Sequence, residues 1–343
     1  MHPAEGPEHT TPHPERFSAY LDALRAVAAL IVFLTHVRGS FFVKWSELDA
    51  ASQEPLNYAL FMLTRLGRES VIIFFVLSGY LVGGQALSAL RCSRFSPVEY
   101  FAARVSRLYA VVLPALLLTA ALDFLGGNWS DSHDGPMAFL INLVFLQQIF
   151  GEVYGSNGPL WSLAYEWWFY LMFGLLLIAL AQASARTKAV ALTLLGASVV
   201  MLALRCPQIL LMLPLWLAGV LVRSLTPIRL PGRLAVAGSF ALLCAALILS
   251  SAQWNWIGDF AVGIATALFI YFIRSLPAPR GRWTVLASQL AAFSFSLYAV
   301  HYPLNLFLFS WFERARVSHA GAKEWLVWAG IVLLEASICW CFY

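Results

Sequence analysis

Residues 21–37 read LDALRAVAALIVFLTHV and decide the fold class. The run is apolar enough to enter a bilayer, yet it contains Asp22, Arg25 and His36. An ionisable residue inside a membrane segment costs roughly 2.5 to 3.5 kcal/mol on the mildest insertion scales, so such residues are kept where they face protein or water. Arg25 and His36 are eleven positions apart, which places them on nearly the same helix face, about 16 Å apart along the axis. We therefore expect this helix to carry a functional face.

The composition predicts an all-α polytopic membrane protein. Hydrophobic residues make up 60% of the 343 residues and charged residues only 12%, whereas typical soluble domains contain ~25% charged residues. The net charge of +4 is spread along the chain, so the basic patch typical of nucleic-acid binding is missing from the sequence. The five cysteines show no metal-ligand spacing and lie mostly in apolar runs. We expect neither a disulfide nor a metal site.

Ten apolar runs are long enough to span a membrane, at roughly 17 to 25 residues each. They lie near 20–38, 69–88, 107–125, 160–181, 188–205, 208–223, 234–251, 257–274, 285–311 and 324–343. Residues 1–16 contain no apolar core and are predicted to be a disordered cytoplasmic tail, which leaves residues 17–343 as one membrane-embedded domain. Because the sequence stops at Tyr343 inside an apolar stretch, we expect the native chain to run a little further.

A shorter apolar run at 136–150 decides the topology, because cytoplasmic loops are enriched in Lys and Arg. If this run spans the membrane, three basic connectors fall outside; if it is re-entrant or interfacial, they fall inside. Those connectors contain Arg186, Lys188, Arg223, Arg229, Arg233, Arg274, Arg280 and Arg282. We therefore predict ten spanning helices with both termini in the cytoplasm. One connector is an exception, because it lies outside in this topology yet holds Arg314, Arg316 and Lys323.

Three arginines lie near the cytoplasmic side in this topology. Arg25 is near the start of the first helix, and Arg104 and Arg107 begin the third and share a face because they are three residues apart. One interpretation is that they anchor the helices by positive-inside charge with snorkelling side chains. The other is an anion site, since guanidinium groups match phosphate oxygens bidentately.

Polar residues near the other side favour acid–base chemistry. His36 and Glu166 lie there, and His301 belongs to a stripe with Ser294, Tyr298 and Asn305 at three-to-four residue spacing. Such a stripe can simply hydrogen-bond neighbouring helices. Alternatively, a histidine beside a carboxylate or a second histidine is a suitable general base for a hydroxyl. The sequence gives compatible depths for His36, Glu166 and His301 and leaves their contacts open.

Motifs of soluble hydrolases and nucleotidases are missing, because the sequence contains no GxSxG elbow, Walker loop or HExxH. Ser78, Gly79 and Tyr80 interrupt an apolar run; small residues there permit close helix approach or leave room for an acyl arm.

A transporter is the alternative class, since polar residues at membrane depth also line translocation paths. We find no internal repeat with paired broken helices, so catalysis is favoured.

The segments together resemble the acyltransferase 3 family of integral-membrane acyltransferases. The family's first helix carries an arginine, ten intervening residues and a histidine, here Arg25 and His36 in LDALRAVAALIVFLTH. The other resemblances are FFVLSGYL at 74–81 to FFxLSGF, Arg104 and Arg107 to an RxxR pair, WSLAYEWWFY at 161–170 to WSLxxExxFY, and SFSLYAVHYPL at 294–304 to SYxLYLxHxP.

The resemblance implies transfer of an acyl group, most often acetyl from acetyl-CoA, to a sugar hydroxyl of a cell-surface polysaccharide, glycolipid or glycosylated metabolite. It further implies a bacterial inner-membrane enzyme that binds no cofactor besides the acyl-CoA donor. His36 would be the catalytic base, oriented by Glu166 or His301. The remaining implied roles are donor binding for Arg25, Arg104 and Arg107, and substrate contact for Ser78, Tyr298 and Trp161.

Overall fold

The computed structural model is helical and describes residues 18–127, 130–181, 184–226, 232–252, 255–277, 281–311 and 316–342. The predicted tail at 1–16 and the end at Tyr343 lie outside the described residues. The helices are α1 Ser18–Phe41, α2 Pro55–Leu63, α3 Gly67–Ser78, α4 Gly84–Arg91, α5 Pro97–Leu125, α6 Asp131–Asp134, α7 Pro136–Leu143, α8 Trp161–Leu180, α9 Ala185–Arg205, α10 Pro207–Ser224, α11 Gly232–Ala252, α12 Trp256–Ile273, α13 Arg282–Trp311 and α14 Ala322–Trp340.

Nine helical segments in the described part of the chain are long and apolar enough to cross a membrane. One of them joins α2, α3 and α4 into Pro55–Arg91. Helix α14 coincides with the tenth predicted run, but it carries Lys323, Glu324 and Glu335, which lower its apolar character. The prediction of a polytopic all-α membrane protein is confirmed.

The segment near 136–150 does not form a spanning helix. Helix α7 has eight residues, so it is about 12 Å long against a hydrocarbon core of ~30 Å. The chain then turns sharply, with left-handed backbone at Phe145 and Gln148. The buried side chains of Asn142 and Gln147 donate to the carbonyls of Glu152 and Leu160, because backbone groups outside regular helix need partners when they are buried.

Helix α1 packs along α13 and α3, so its polar face points into the bundle. Because His36 contacts His301 and Ser40 contacts Asn305, and each pair is four residues from the other, α1 and α13 run parallel. We call the two ends of the bundle the Arg25 end and the His36 end.

Helices α3 and α4 are joined by a π-helical turn, Gly79–Gly83, that lies against α10. A Cβ atom added to Gly79 would overlap the backbone oxygen of Trp216, and one added to Gly219 would overlap that of Val76. Within lipid, helix association depends on this kind of van der Waals contact between backbones rather than on the hydrophobic effect. Glycine is therefore required at both positions.

A cap at the His36 end ties the loop after α1 to the segment before α14. Phe42 and Val317 form a β-bridge, and the Nδ1 atom of His319 lies 2.8 Å from an Asp49 carboxylate oxygen. The hydrogen bond that His319 donates to Asp49 raises the pKa of His319. Conversely, hydrogen bonds, first from Ser52 and then from His319, lower the pKa of Asp49.

Candidate active site

Two histidines face each other at the centre of the α1–α13 contact. The Nδ1 atom of His36 lies 2.8 Å from the Nε2 atom of His301, and the Nδ1 atom of His301 lies 2.8 Å from the carbonyl oxygen of Leu297. A carbonyl only accepts hydrogen bonds, so Nδ1 of His301 carries the proton and Nε2 of the neutral ring is an acceptor. His36 therefore donates through Nδ1–H, which assigns the unprotonated nitrogen of its neutral ring to Nε2.

The surroundings distinguish the two rings. His301 is fully buried and meets the edge of Phe33 at a centroid distance of 5.8 Å. His36 is partly exposed, with Tyr302 at 4.6 Å between ring centroids. The buried ring of His301 is thus a fixed acceptor, while the ring of His36 is partly exposed and has its unprotonated nitrogen free of this hydrogen bond.

A second polar layer lies one helical turn beyond the histidines. Ser40 donates to the side-chain oxygen of Asn305, whose amide nitrogen donates to Glu335 across 2.8 Å. Asn305 and Glu335 are fully buried. The layer joins α1, α13 and α14 and so holds the two histidine-bearing helices in register.

A narrow cavity opens among α1, α3, α5, α8 and α13. It is lined by Arg25, Val71, Phe74, Phe75, Leu77, Ser78, Leu81, Val82, Arg107, Ser162, Leu163, Glu166, Tyr170, Ser294, Phe295 and Tyr298. Since Val71 and Val82 are eleven residues apart on a continuous helical segment, the cavity extends about 16 Å along the bundle. Its walls are mainly apolar, which suits a long flexible chain.

Two cations lie at the Arg25 end of this cavity. Arg25 and Arg107 both line it, and the guanidinium of Arg107 lies 5.3 Å from the Phe295 ring centroid. The carboxylate of Asp22 is 3.9 Å from Arg25. Arg104, one turn before Arg107, lies 5.9 Å from the ring centroid of Tyr170, and its buried Nε atom has no hydrogen-bond partner. The positions suit an anion site.

Glu166 belongs to a different cluster from the histidines. One of its carboxylate oxygens accepts from Ser78 at 2.9 Å and from Tyr170, and Trp216 donates to the hydroxyl oxygen of Ser78 at 3.2 Å. The predicted partner for this carboxylate therefore exists, but it consists of two hydroxyl groups. Of the two neighbours that the sequence allowed for His36, the structure places His301 there.

The end of the cavity nearest the histidines is formed by Tyr298 and Ser162. Their hydroxyl oxygens are 2.6 Å apart, and Tyr298 also donates to the carbonyl of Pro159. The ring of Tyr298 is 6.3 Å from that of His301 between centroids. The cavity thus ends one aromatic ring away from the histidine pair.

The predicted substrate contacts divide into two groups. Ser78 and Tyr298 line the cavity, whereas Trp161 lies outside the described lining and packs its ring against Tyr165 and Phe75. Sequence reasoning missed Tyr170 as a lining residue. Its position four residues after Glu166 was the available signal, since such pairs share a helix face.

Comparisons with known proteins identify the family and several relatives of this chain. A family model described as an acyltransferase domain matches residues 18–343. An O-acetyl transferase of Shigella phage Sf6 is 29% identical over 176 residues, which cover 48% of this chain and 47% of the phage protein. The acyltransferase MdmB of Streptomyces mycarofaciens is 28% identical over 165 residues, which cover 45% of this chain and 38% of that protein.

An uncharacterized protein of Haemophilus influenzae is 29% identical over 116 residues, or 31% of this chain and 47% of that protein. The chain spans less than half the length of each of these relatives. No solved structure gives a significant match. Because the family model covers almost the whole chain, this membrane protein belongs to the acyltransferase 3 family.

Proposed function

We propose that the protein is a membrane-bound O-acyltransferase that moves an acyl group, acetyl in the simplest case, from acyl-CoA to a sugar hydroxyl. The observation that carries this proposal is the hydrogen bond between His36 and His301. It holds the Nε2 lone pair of His36 available as a general base, on the helix whose other end carries Arg25. General bases of this kind contribute 10²- to 10⁴-fold to hydroxyl activation.

The cavity suits the donor. Arg25 and Arg107 would bind phosphate groups of CoA at the Arg25 end, because guanidinium–phosphate pairs are charge-assisted and directional. The apolar walls and the hydroxyls of Ser78 and Tyr170 would line the path of the pantetheine arm. The thioester would reach the Tyr298 end of the cavity, next to the histidine pair.

The proposed reaction needs only His36, the acceptor hydroxyl and the acyl-CoA thioester. Nε2 of His36 accepts the proton of the acceptor hydroxyl. At the same time, the hydroxyl oxygen of the acceptor forms a bond to the carbonyl carbon of the thioester. The carbon–sulfur bond breaks, the CoA thiolate takes the proton from the His36 imidazolium, and an ester and free CoA thiol leave. His301 remains neutral and holds the ring of His36 in place.

The same proposal includes orientation and location. The Arg25 end would face the cytoplasm, where acyl-CoA is found, and the His36 end the opposite side of a bacterial inner membrane. Basic connectors such as the one with Arg186 and Lys188 then lie inside, as the charge rule favours. Both termini would be cytoplasmic. The assignment of a sugar as the acceptor rests on the family resemblance.

The test is transfer of radiolabel from acetyl-CoA into the polysaccharide and lipid-linked sugar fraction of membranes with and without this protein. We expect label that depends on the protein. If no label is transferred and proteoliposomes instead take up a labelled polar solute, the acyltransferase proposal is wrong and the transporter alternative replaces it.

A further inference from the structure

The connector before α14 conflicts with the charge rule, since it is basic yet lies at the His36 end. The backbone of Val317 is hydrogen-bonded to Phe41 and Val43, which places Arg316 beside the end of α1 that carries Arg38. Arg38 in turn donates to the carbonyl of Thr64, the residue before Arg65, and the charges of Arg65 and Arg316 both act on Arg38. We call Arg38, Arg65 and Arg316 the outer arginine cluster. Cations on this side do not help to set orientation, so a different function must favour them.

The contacts of the cluster leave most of its donors unused. Nε of Arg38 donates to the carbonyl of Thr64 at 3.4 Å, and its guanidinium lies 4.9 Å from the Phe61 ring centroid. Arg65 donates to the carbonyl of Ser251. Arg316 is exposed. Since each guanidinium has five N–H groups, the cluster keeps several free donors.

Nearby carboxylates are engaged elsewhere. The carboxylate of Glu69, which interacts with the charge of Arg65, is buried and accepts from Ser250 at 3.2 Å. Asp49 contacts His319 at 2.8 Å, and Asp259 accepts from Nε of Arg68 at 2.9 Å. Among the residues with described side chains, no carboxylate lies within 4.0 Å of the outer arginine cluster. Three like charges held together by the fold repel one another, and a bound anion would relieve that repulsion.

We propose that the outer arginine cluster binds a phosphate or pyrophosphate group on the acceptor, so that the acceptor is a phosphate-linked sugar. Three cations suit a phosphorylated group better than a single carboxylate, whose one negative charge would leave two of them uncompensated. This inference rests on the proposed function, which supplies the acceptor.

The geometry fits an extended phosphate-linked saccharide that reaches two points. Arg38 is two residues beyond His36, about 3 Å further along α1. Its side chain points towards Thr64, whereas His36 points towards His301. Because residues two apart point to opposite sides of a helix, the phosphate and the reacting hydroxyl would lie on two sides of the end of α1, and the acceptor would be longer than one sugar ring.

The test is calorimetric binding of inorganic pyrophosphate to the detergent-solubilised full chain, with saturating CoA present to fill the donor cavity. We expect binding that weakens on the order of tenfold in Arg316→Gln. This side chain makes no hydrogen bond in the described structure, so its loss should leave the fold intact. Arg38→Lys should keep part of the affinity, and Arg91→Gln, on the exposed Arg25 end, should keep all of it.

Pyrophosphate binding that is absent, or unchanged in Arg316→Gln and Arg38→Gln, would overturn the inference. Equal binding of glucuronate would overturn the assignment to phosphate, and displacement by phosphatidylglycerol micelles would reassign the cluster to lipid headgroups. Because binding is measured without turnover, pyrophosphate binding in a protein that transfers no acyl group would refute the proposed function while supporting an anion site.

Discussion

His36 and His301 are 265 residues apart in sequence, yet a 2.8 Å hydrogen bond joins their rings. The direction of that bond follows from the next one, in which Nδ1–H of His301 donates to the Leu297 carbonyl. In the proposed function, His301 is therefore a positioning residue that fixes the tautomer of His36. A wrong tautomer at a catalytic histidine can cost orders of magnitude in rate.

Replacing His301 should separate positioning from packing. His301→Phe keeps an aromatic ring but removes the acceptor for His36, so we expect kcat to fall about 10²-fold with little change in the KM for acetyl-CoA. His301→Gln offers an amide oxygen in place of Nε2 and should recover much of the rate. Steady-state kinetics at equal protein abundance would check this, and a phenylalanine variant with wild-type kcat would refute the positioning role.

Arg107→Gln should act on the donor. The variant removes one of the two guanidinium groups at the Arg25 end of the cavity, so we expect the KM for acetyl-CoA to rise about tenfold. The difference from wild type should shrink as salt is added, because exposed charges are screened. Arg107→Lys should be intermediate and Arg91→Gln unchanged. An unaltered donor KM would remove Arg107 from the donor site.

Gly79→Ala and Gly219→Ala should destabilise the contact between α3 and α10. Each added methyl group would overlap a backbone oxygen, which cannot move as a flexible side chain can, so we expect a loss of about 3 kcal/mol. Gly196→Ala is the matched control, because its added Cβ meets nothing within 4 Å. Thermal unfolding in detergent should show a clear fall for the first two variants only. Equal effects of all three would contradict this packing.

The cap at the His36 end should respond to pH through His319. Because Asp49 raises the pKa of His319, the ion pair adds stability that is complete below the unfolded value of about 6.5. That stability is lost as pH rises through the raised folded value. The lowered pKa of Asp49 preserves the pair until strongly acidic pH. The Tm advantage of wild type over His319→Gln should therefore be larger at about pH 5 than at about pH 9. A constant difference would show that the charge of His319 does not matter.

The sequence predicts much of this arrangement because it depends on local helix geometry. The shared face of Arg25 and His36 and the stripe from Ser294 to Asn305 follow from helical spacing. The absence of a span at 136–150 follows from loop charge and is confirmed by the eight-residue helix α7.

The contacts between helices that are distant in the chain could not be predicted from the sequence. Helical spacing gives the depth of Glu166 but not its rotation relative to α1, so it could not choose between a histidine and the observed partners Ser78 and Tyr170. The same reason applies to Trp161, which shares the motif of Glu166 but is not among the residues that line the cavity. The apolar run predicts the position of helix α14. The hydrogen bond from Asn305 to Glu335, by contrast, could be found only in the folded structure.

The most direct test of the central claim is the rate of label transfer from acetyl-CoA by His36→Ala at an abundance matched to wild type. The claim is that Nε2 of His36 removes the acceptor proton. We expect the rate to fall about 10³-fold, within the range that a general base contributes, while CoA binding measured by calorimetry stays unchanged. A His36→Ala protein that transfers acetyl at the wild-type rate would contradict the assignment of His36 as the base.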